Sequence, residues 1–274
     1  MALSSTIRTA LAKSSTAFGF WLTLPSAPVA RTILRSAKAS VNPSFSWVLI
    51  DGEHGLVCEK DYYELSAVVA SEGASPIVRI PVAEEWMIKR ALDAGAHGIL
   101  TPMCHTAEDA ARIVKYSKYP PAGSRGYGPA FAVHSFPSLA PGPDYETNAD
   151  KELLVLVQIE SQSGVDNVEK IATVDGLDVL LIGPFDLAKQ MNVVWGGPEH
   201  EAAIQRVLKA AKASGKKAAI FCPDGEQARM RAEQGFDMVS VTTDTSVIAE
   251  GMVGALNIAQ GGTASGSEVK KSAY

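Results

Sequence analysis

Eight times along the chain a short, almost uninterrupted apolar run gives way to a longer stretch with apolar residues at helical spacing. The runs occupy residues 17–24, 46–50, 76–80, 97–101, 153–159, 178–182, 217–221 and 237–241. Val, Ile, Leu and Ala fill their interiors, as parallel strands covered on both faces require. Amphipathic helix patterns follow, most clearly at 83–94, 106–116 and 198–214. Strand–helix repetition predicts an α/β fold with a parallel sheet. Eight units predict closure into a single (β/α)8 TIM barrel over residues 1–260 rather than an open doubly wound sheet.

One insertion breaks the rhythm. Residues 120–150, beginning PPAGSRGYGPAFAVHSFPSLAPGP, are rich in Pro, Gly and Ser, and are expected as irregular structure near the barrel mouth. The last residues, 261–274, read as a disordered tail. No Asp or Glu precedes Asp51, and the first 16 residues are rich in Ser, Thr and Ala with Arg8 and Lys13. Such a start suits a short helix plugging the bottom of the barrel, with a mitochondrial transit peptide as the alternative.

Composition changes the picture only by exclusion. A net charge of −5 gives no electrostatic reason for a nucleic-acid partner. No apolar run approaches the ~20 residues of a membrane span. Cys58, Cys104 and Cys222 are far apart and form no CxxC pair, which argues against a disulfide framework or zinc module and for a reducing, cytoplasmic setting.

Barrel active sites gather at the C-terminal ends of the strands, so the polar residues that end the apolar runs carry the chemistry. The first run holds Trp21 near its end. The second ends in Asp51-Gly52-Glu53-His54-Gly55, the third in Arg79, the fifth in Gln158 and Glu160, and the sixth in Gly183-Pro184-Phe185-Asp186. Glu160 and Asp186 belong to neighbouring strands. Two carboxylates completed by water and substrate oxygens suit a hard divalent cation, Mg²⁺ first, Mn²⁺ or Co²⁺ next; the alternative is a structural ion pair of Glu160 with Arg79. The Gly183–Pro184 turn into a new helix offers amides to a substrate carboxylate, or is an ordinary turn with Asp186 as N-cap. His54 and Asp51 are spaced as a proton-transfer dyad in which the carboxylate orients the ring. Arg79 is placed to support an enolate oxygen. No lysine ends a strand, which disfavours a Schiff-base aldolase and leaves a metal as the electron sink. The Arg125–Gly128 loop has neither GxGxxG nor P-loop spacing and reads as a plain loop. His97, His105, His134 and His200 are too dispersed to read as ligands.

Six motifs together give the chain a resemblance: GFWL at Gly19, WVLIDGEHG at Trp47, VRIP at Val78, YPPAGSRGYG at Tyr119, LVQIES at Leu156 and IGPFDLA at Ile182. The chain resembles the HpcH/HpaI aldolases, metal-dependent class II pyruvate aldolases with a phosphoenolpyruvate/pyruvate-type barrel, over most of its length. The resemblance implies that Glu160 and Asp186 bind the metal, that His54 with Asp51 transfers protons, and that Arg79 contacts the keto oxygen. Trp21, Gln158, Gly183, Pro184, Phe185 and Asp186 would line the substrate. Asp93 resembles a position that reaches a neighbouring subunit, and a homo-oligomer, trimer or hexamer, is implied, with the last helix packed on an adjacent barrel. Phe185 departs from the pattern, since relatives often carry a small residue there; this argues for short substrates.

The resulting expectation is a carbon–carbon lyase acting on 4-hydroxy-2-keto acids through a metal-bound pyruvate enolate, with pyruvate or oxaloacetate and an aldehyde as small-molecule partners. Oxaloacetate decarboxylation, or a macrophomate-synthase-like use of the same enolate, is the alternative; a non-catalytic barrel is the third.

Overall fold

The computed structural model describes residues 5–13, 15–136 and 143–263. Eight parallel strands close in sequence order: β1 (Ala17–Leu22), β2 (Trp47–Asp51), β3 (Ser75–Arg79), β4 (Gly98–Thr101), β5 (Leu154–Ile159), β6 (Val179–Ile182), β7 (Lys217–Ile220) and β8 (Met238–Thr243). β8 returns to pair with β1. The helices are α1 (Thr6–Ala12), α2 (Ala27–Ser40), α3 (Glu59–Ser71), α4 (Glu85–Asp93), α5 (Ala107–Ser117) and α6 (Pro143–Glu152). They continue as α7 (Gln162–Asp166), α8 (Val168–Ala172), α9 (Pro184–Met191), α10 (Pro198–Ala213), α11 (Gly225–Glu233) and α12 (Asp244–Ala259). The barrel expected from the apolar runs is therefore present, with strand boundaries moved by at most two residues.

Strand alternation divides the apolar residues between two cores. One parity, including Val48, Ile50, Val78, Val155 and Leu180, packs outward against the helices. The other, including Trp47, Leu49, Ile77, Leu100, Leu156 and Leu181, fills the barrel. Gly19 belongs to the inward set, and a Cβ there would overlap the Trp47 indole, so glycine makes room for the largest side chain at the bottom. Below it, α1 closes the N-terminal opening. Ile7 and Leu11 join the inner core, the Ile7 amide donates to Ser75 Oγ at 3.0 Å, and Arg8 Nε donates to the Glu152 carbonyl at 3.0 Å. Residues 6–12 thus form the plug.

The insertion sits elsewhere than expected. It follows α5, and a helix of a β/α unit carries the chain back to the N-terminal ends of the strands, so the loop emerges at the rim opposite the mouth. His97, just before β4, stacks on Phe136 with ring centroids 4.2 Å apart and hydrogen-bonds the Ser135 carbonyl through Nε2 at 2.7 Å. Burial pushes His97 down to about 4, so it is a neutral core histidine. Arg125 is buried, stacks over Tyr119 with its guanidinium carbon 4.5 Å from the ring centroid, and pairs with Asp93 Oδ1 at 2.7 Å. The Arg125–Gly128 loop is thus braced into the protein, and Asp93, at the end of α4, has a partner in its own chain. The same stretch also ends in a helix, α6. The tail expected to be disordered falls largely on residues 264–274, which lie outside the described residues.

At the other end, Asp244 is buried and ties α12 to the barrel, Oδ1 accepting from the Thr23 amide at 2.9 Å and Oδ2 from the Leu24 amide at 3.0 Å. Beyond it α12 leaves the barrel and presents Val247, Ile248, Met252, Val253 and Leu256 to the outside. No helix among the described residues is long and apolar enough to cross a membrane.

Candidate active site

The alternation that fills the barrel also aims its polar residues. Two positions beyond Leu49, Ile77, Leu156 and Leu181, on the same inward parity, stand Asp51, Arg79, Gln158 and Gly183. β2 and β3 are in register at Asp51 and Arg79, so these side chains leave adjacent strands on one face. They form a bidentate pair, Arg79 Nε to Asp51 Oδ1 at 2.8 Å and Nη2 to Oδ2 at 2.7 Å, with both side chains wholly buried. Trp21 lies beneath, its ring centroid 4.4 Å from the guanidinium carbon. Removing one member of such a pair strands a charge in the barrel and costs about 3–5 kcal/mol.

The expected Asp51–His54 dyad takes a different form. Asp51 is wholly buried at the end of its strand, while His54 stands on the loop that follows with its side chain 43% exposed. Asp51 Oδ1 accepts from the backbone amides of Glu53 at 3.1 Å and His54 at 3.2 Å, so it positions His54 through the main chain. Glu53 puts a carboxylate beside the ring, Oε1 to Nε2 at 3.8 Å, and sends its other oxygen to Arg79 Nη1 at 3.0 Å. Burial, opposed by Arg79 and reinforced by Glu160, Asp51 and Asp186, pushes the Glu53 carboxyl up to about 7. Glu53 was not among the residues singled out from sequence. Its signal was there: a guanidinium carries five donors, more than one carboxylate can accept.

Arg79 pairs with Asp51 and Glu53, and its charge also acts to lower the Glu160 carboxyl. Glu160 Oε1 accepts from the Met103 amide at 2.8 Å, and Oε2 accepts from Gln158 Nε2. Met103 makes its bond from the left-handed region, φ 54°, a conformation that costs a non-glycine residue energy and that recurs at functional sites. Burial raises the Glu160 carboxyl above its usual range and the charge of Asp186 adds to this, against the lowering bonds from Met103 and Gln158. A Cβ at Gly183 would overlap both Glu160 Oε2 and Gln158 Nε2, so only glycine leaves them room. Gly183, rather than Asp186, is the N-cap of α9; Pro184 opens the helix and Asp186 lies in its first turn. The first-turn amides of Phe185 and Asp186 have no carbonyl one turn back to bond. Phe185 packs on the inner core and against Phe221, with ring centroids 5.9 Å apart.

The donor set fits a hard divalent cation. Glu160 and Asp186 offer carboxylate oxygens, and a cation between them would relieve the repulsion that the Asp186 charge exerts on Glu160. Among the described residues, no group of three or more His, Cys, Asp or Glu converges as a metal cage, so the protein would supply two carboxylates.

The chain has relatives along most of its length. Residues 28–250 match the family model described as HpcH/HpaI aldolase/citrate lyase. A hydroxypyruvate/pyruvate aldolase of Roseobacter denitrificans is 33% identical over 246 residues, 89% of this chain and 93% of that protein. An HpcH/HpaI aldolase/citrate lyase family protein of Burkholderia cenocepacia J2315 superposes with a TM-score of 0.83 at 32% identity, covering 93% of this chain and 98% of the other. Macrophomate synthase superposes with a TM-score of 0.80 at 25% identity, covering 93% and 88%. The chain belongs to the HpcH/HpaI aldolase/citrate lyase family.

Proposed function

We propose that this aldolase-type carbon–carbon lyase cleaves and forms 4-hydroxy-2-keto acids by way of the pyruvate enolate. One observation carries most of the weight. Among the described residues, Arg79 is the only cation that ends a strand, and it shares the mouth with two acids, Glu160 and Asp186, whose charges disfavour one another. With no strand-end lysine, electrophilic help must come from elsewhere than a Schiff base.

In this assignment Glu160 and Asp186 hold a divalent cation, Mg²⁺ before Mn²⁺ or Co²⁺. When bound, it supplies Lewis-acid polarisation of the 2-keto group. The amides of Phe185 and Asp186 receive the donor carboxylate, and Trp21 and Gln158 wall the donor. Arg79, held rigid by Asp51, faces the oxygen that gains charge. In cleavage, His54 beside Glu53 takes the proton of the C4 hydroxyl. The C3–C4 bond then breaks, its electrons pass to C3, the aldehyde leaves, and C3 is reprotonated. Exchange of pyruvate methyl protons for deuterium, followed by NMR, tests enolate formation directly; no exchange above the enzyme-free rate would sink the proposal. Oxaloacetate decarboxylation, favoured by the likeness to macrophomate synthase, is the second reading. Pyruvate release from 4-hydroxy-2-keto acids set against CO₂ release from oxaloacetate separates the two.

Phe185 should limit acceptor size. It packs at the mouth above the inner core, so Phe185→Ala opens space without removing a charged partner. A roughly tenfold or larger shift in kcat/KM toward bulkier aldehydes is expected. If the ring merely packs, the variant loses stability and keeps its substrate ranking.

We also assign the chain a homo-oligomeric state, trimer or hexamer, and a cytoplasmic setting suited to its three free thiols. Met252 is 70% and Leu256 56% exposed on α12, beside exposed Val253, an apolar face of the kind that contiguous patches at protein interfaces present. Met252→Glu combined with Leu256→Glu should reduce the mass seen by light scattering; an unchanged mass places the interface elsewhere.

A further inference from the structure

The site that binds the donor must also receive the acceptor, and the chemistry of its rim is uneven. The connections from strands to helices span residues 23–26, 52–58, 80–84, 102–106, 160–161, 183 and 221–224, with β8 passing directly into α12. None of these residues, nor any between α9 and α10 (residues 192–197), is Lys or Arg. Arg79 pairs with Asp51 and Glu53 below the rim, so among the described residues an acceptor bearing a carboxylate meets acids and no lysine or arginine on these connections.

On the opposite side runs an arc of aromatic rings. Trp21 meets Phe221 edge to face at 4.8 Å, Phe221 meets Phe185 at 5.9 Å, and Phe185 stacks almost parallel on Trp195 at 5.4 Å and 9°. The arc starts under the Arg79 guanidinium and ends at the outer edge, where Trp195 is 42% exposed. Trp195 is fixed there although it lies on a loop. His200, buried at the start of α10, accepts the Gly196 amide on Nδ1 at 3.0 Å and reaches the Pro184 carbonyl through Nε2 at 2.8 Å. Because Nδ1 accepts, Nε2 carries the proton, and neutral His200 ties the Trp195 loop to the helix start that bears Asp186.

We propose that Trp195 is a specificity-determining residue and that the acceptor is a short, uncharged aldehyde with an apolar substituent, seated against the Trp195–Phe185 face. This rests on the aldolase assignment above. In the addition direction, the pyruvate methyl carbon gives up a proton and bonds to the aldehyde carbon, whose oxygen takes a proton. The acceptor's substituent is left facing the aromatic wall. An apolar group gains by covering that wall, whereas a carboxylate there would lose water without gaining a partner.

Isobutanal and glyoxylate are close in size and differ in charge, which makes them the deciding pair. With the full chain supplied with Mg²⁺ and pyruvate, kcat/KM for isobutanal should exceed that for glyoxylate by about tenfold or more. Trp195→Ala should remove most of that preference, Trp195→Phe should retain it, and Trp195→Arg should turn it toward glyoxylate. Pyruvate deuterium exchange, which needs no acceptor, should be unchanged in all three. A wild-type preference for glyoxylate, or a ranking that Trp195→Ala leaves intact while exchange persists, overturns the acceptor assignment alone. Absence of exchange in the wild type overturns the aldolase reading and this proposal with it.

Discussion

Glu160→Gln and Asp186→Asn should each reduce turnover by about a thousandfold or more while leaving the protein folded. A cation held by two carboxylates loses half its protein ligands in either variant. Several kcal/mol of transition-state stabilisation depend on it, and each 1.36 kcal/mol is a factor of ten. EDTA should do the same to the unaltered protein, and Mg²⁺, Mn²⁺ or Co²⁺ should restore only that one. Stability should move the other way. Burial and the Asp186 charge already disfavour ionised Glu160, so a neutral glutamine relieves repulsion and the metal-free variant should melt no lower than metal-free wild type. Calorimetric titration with Mn²⁺ gives a second readout free of turnover. Full activity in rigorously metal-stripped protein would end the metal assignment, and a collapse in melting temperature would make Glu160 a structural residue.

His54→Ala should lower kcat for cleavage of 4-hydroxy-2-keto acids by roughly 10²–10⁴. The imidazole is exposed at the mouth with Glu53 3.8 Å away, where a C4 hydroxyl proton can be passed without entering the barrel. Glu53, pushed up to about 7, exchanges protons in the same pH range as a histidine. Decarboxylation of oxaloacetate reaches the enolate without deprotonating a hydroxyl, so the same variant should lose much less of that activity. Equal losses in both reactions would show that His54 shapes the site and is not the base.

The barrel was readable in the chain because its strands are buried on both faces and its helices on one, which writes two different periods into the sequence. Asp51, Arg79, Gln158 and Gly183 were readable for the same reason, as polar residues or glycine on the inward parity where apolar residues should continue. Glu53 was not, since it lies off the strand on a loop and gains its place only through a second contact with Arg79. The insertion was placed at the wrong rim because its composition was weighed and the direction of the preceding helix was not. Trp195 was invisible for a deeper reason. α9 is a short extra helix, and the His200 brace, which closes between residues of α9, α10 and their connection, helps hold the loop beside Phe185.

The inner core, with Ile7 and Leu11 packed beneath it, closes the barrel at the N-terminal end, so among the described residues the proposed site opens at the mouth. Traffic through one doorway is ordered traffic. In the proposed arrangement the keto acid occupies the floor before an aldehyde takes the aromatic edge, and in the reverse direction the aldehyde leaves before pyruvate follows. The steady-state pattern expected of the proposed site is a sequential mechanism with compulsory order, and product-inhibition kinetics should find pyruvate competing with the cleaved substrate for the empty enzyme and the aldehyde not.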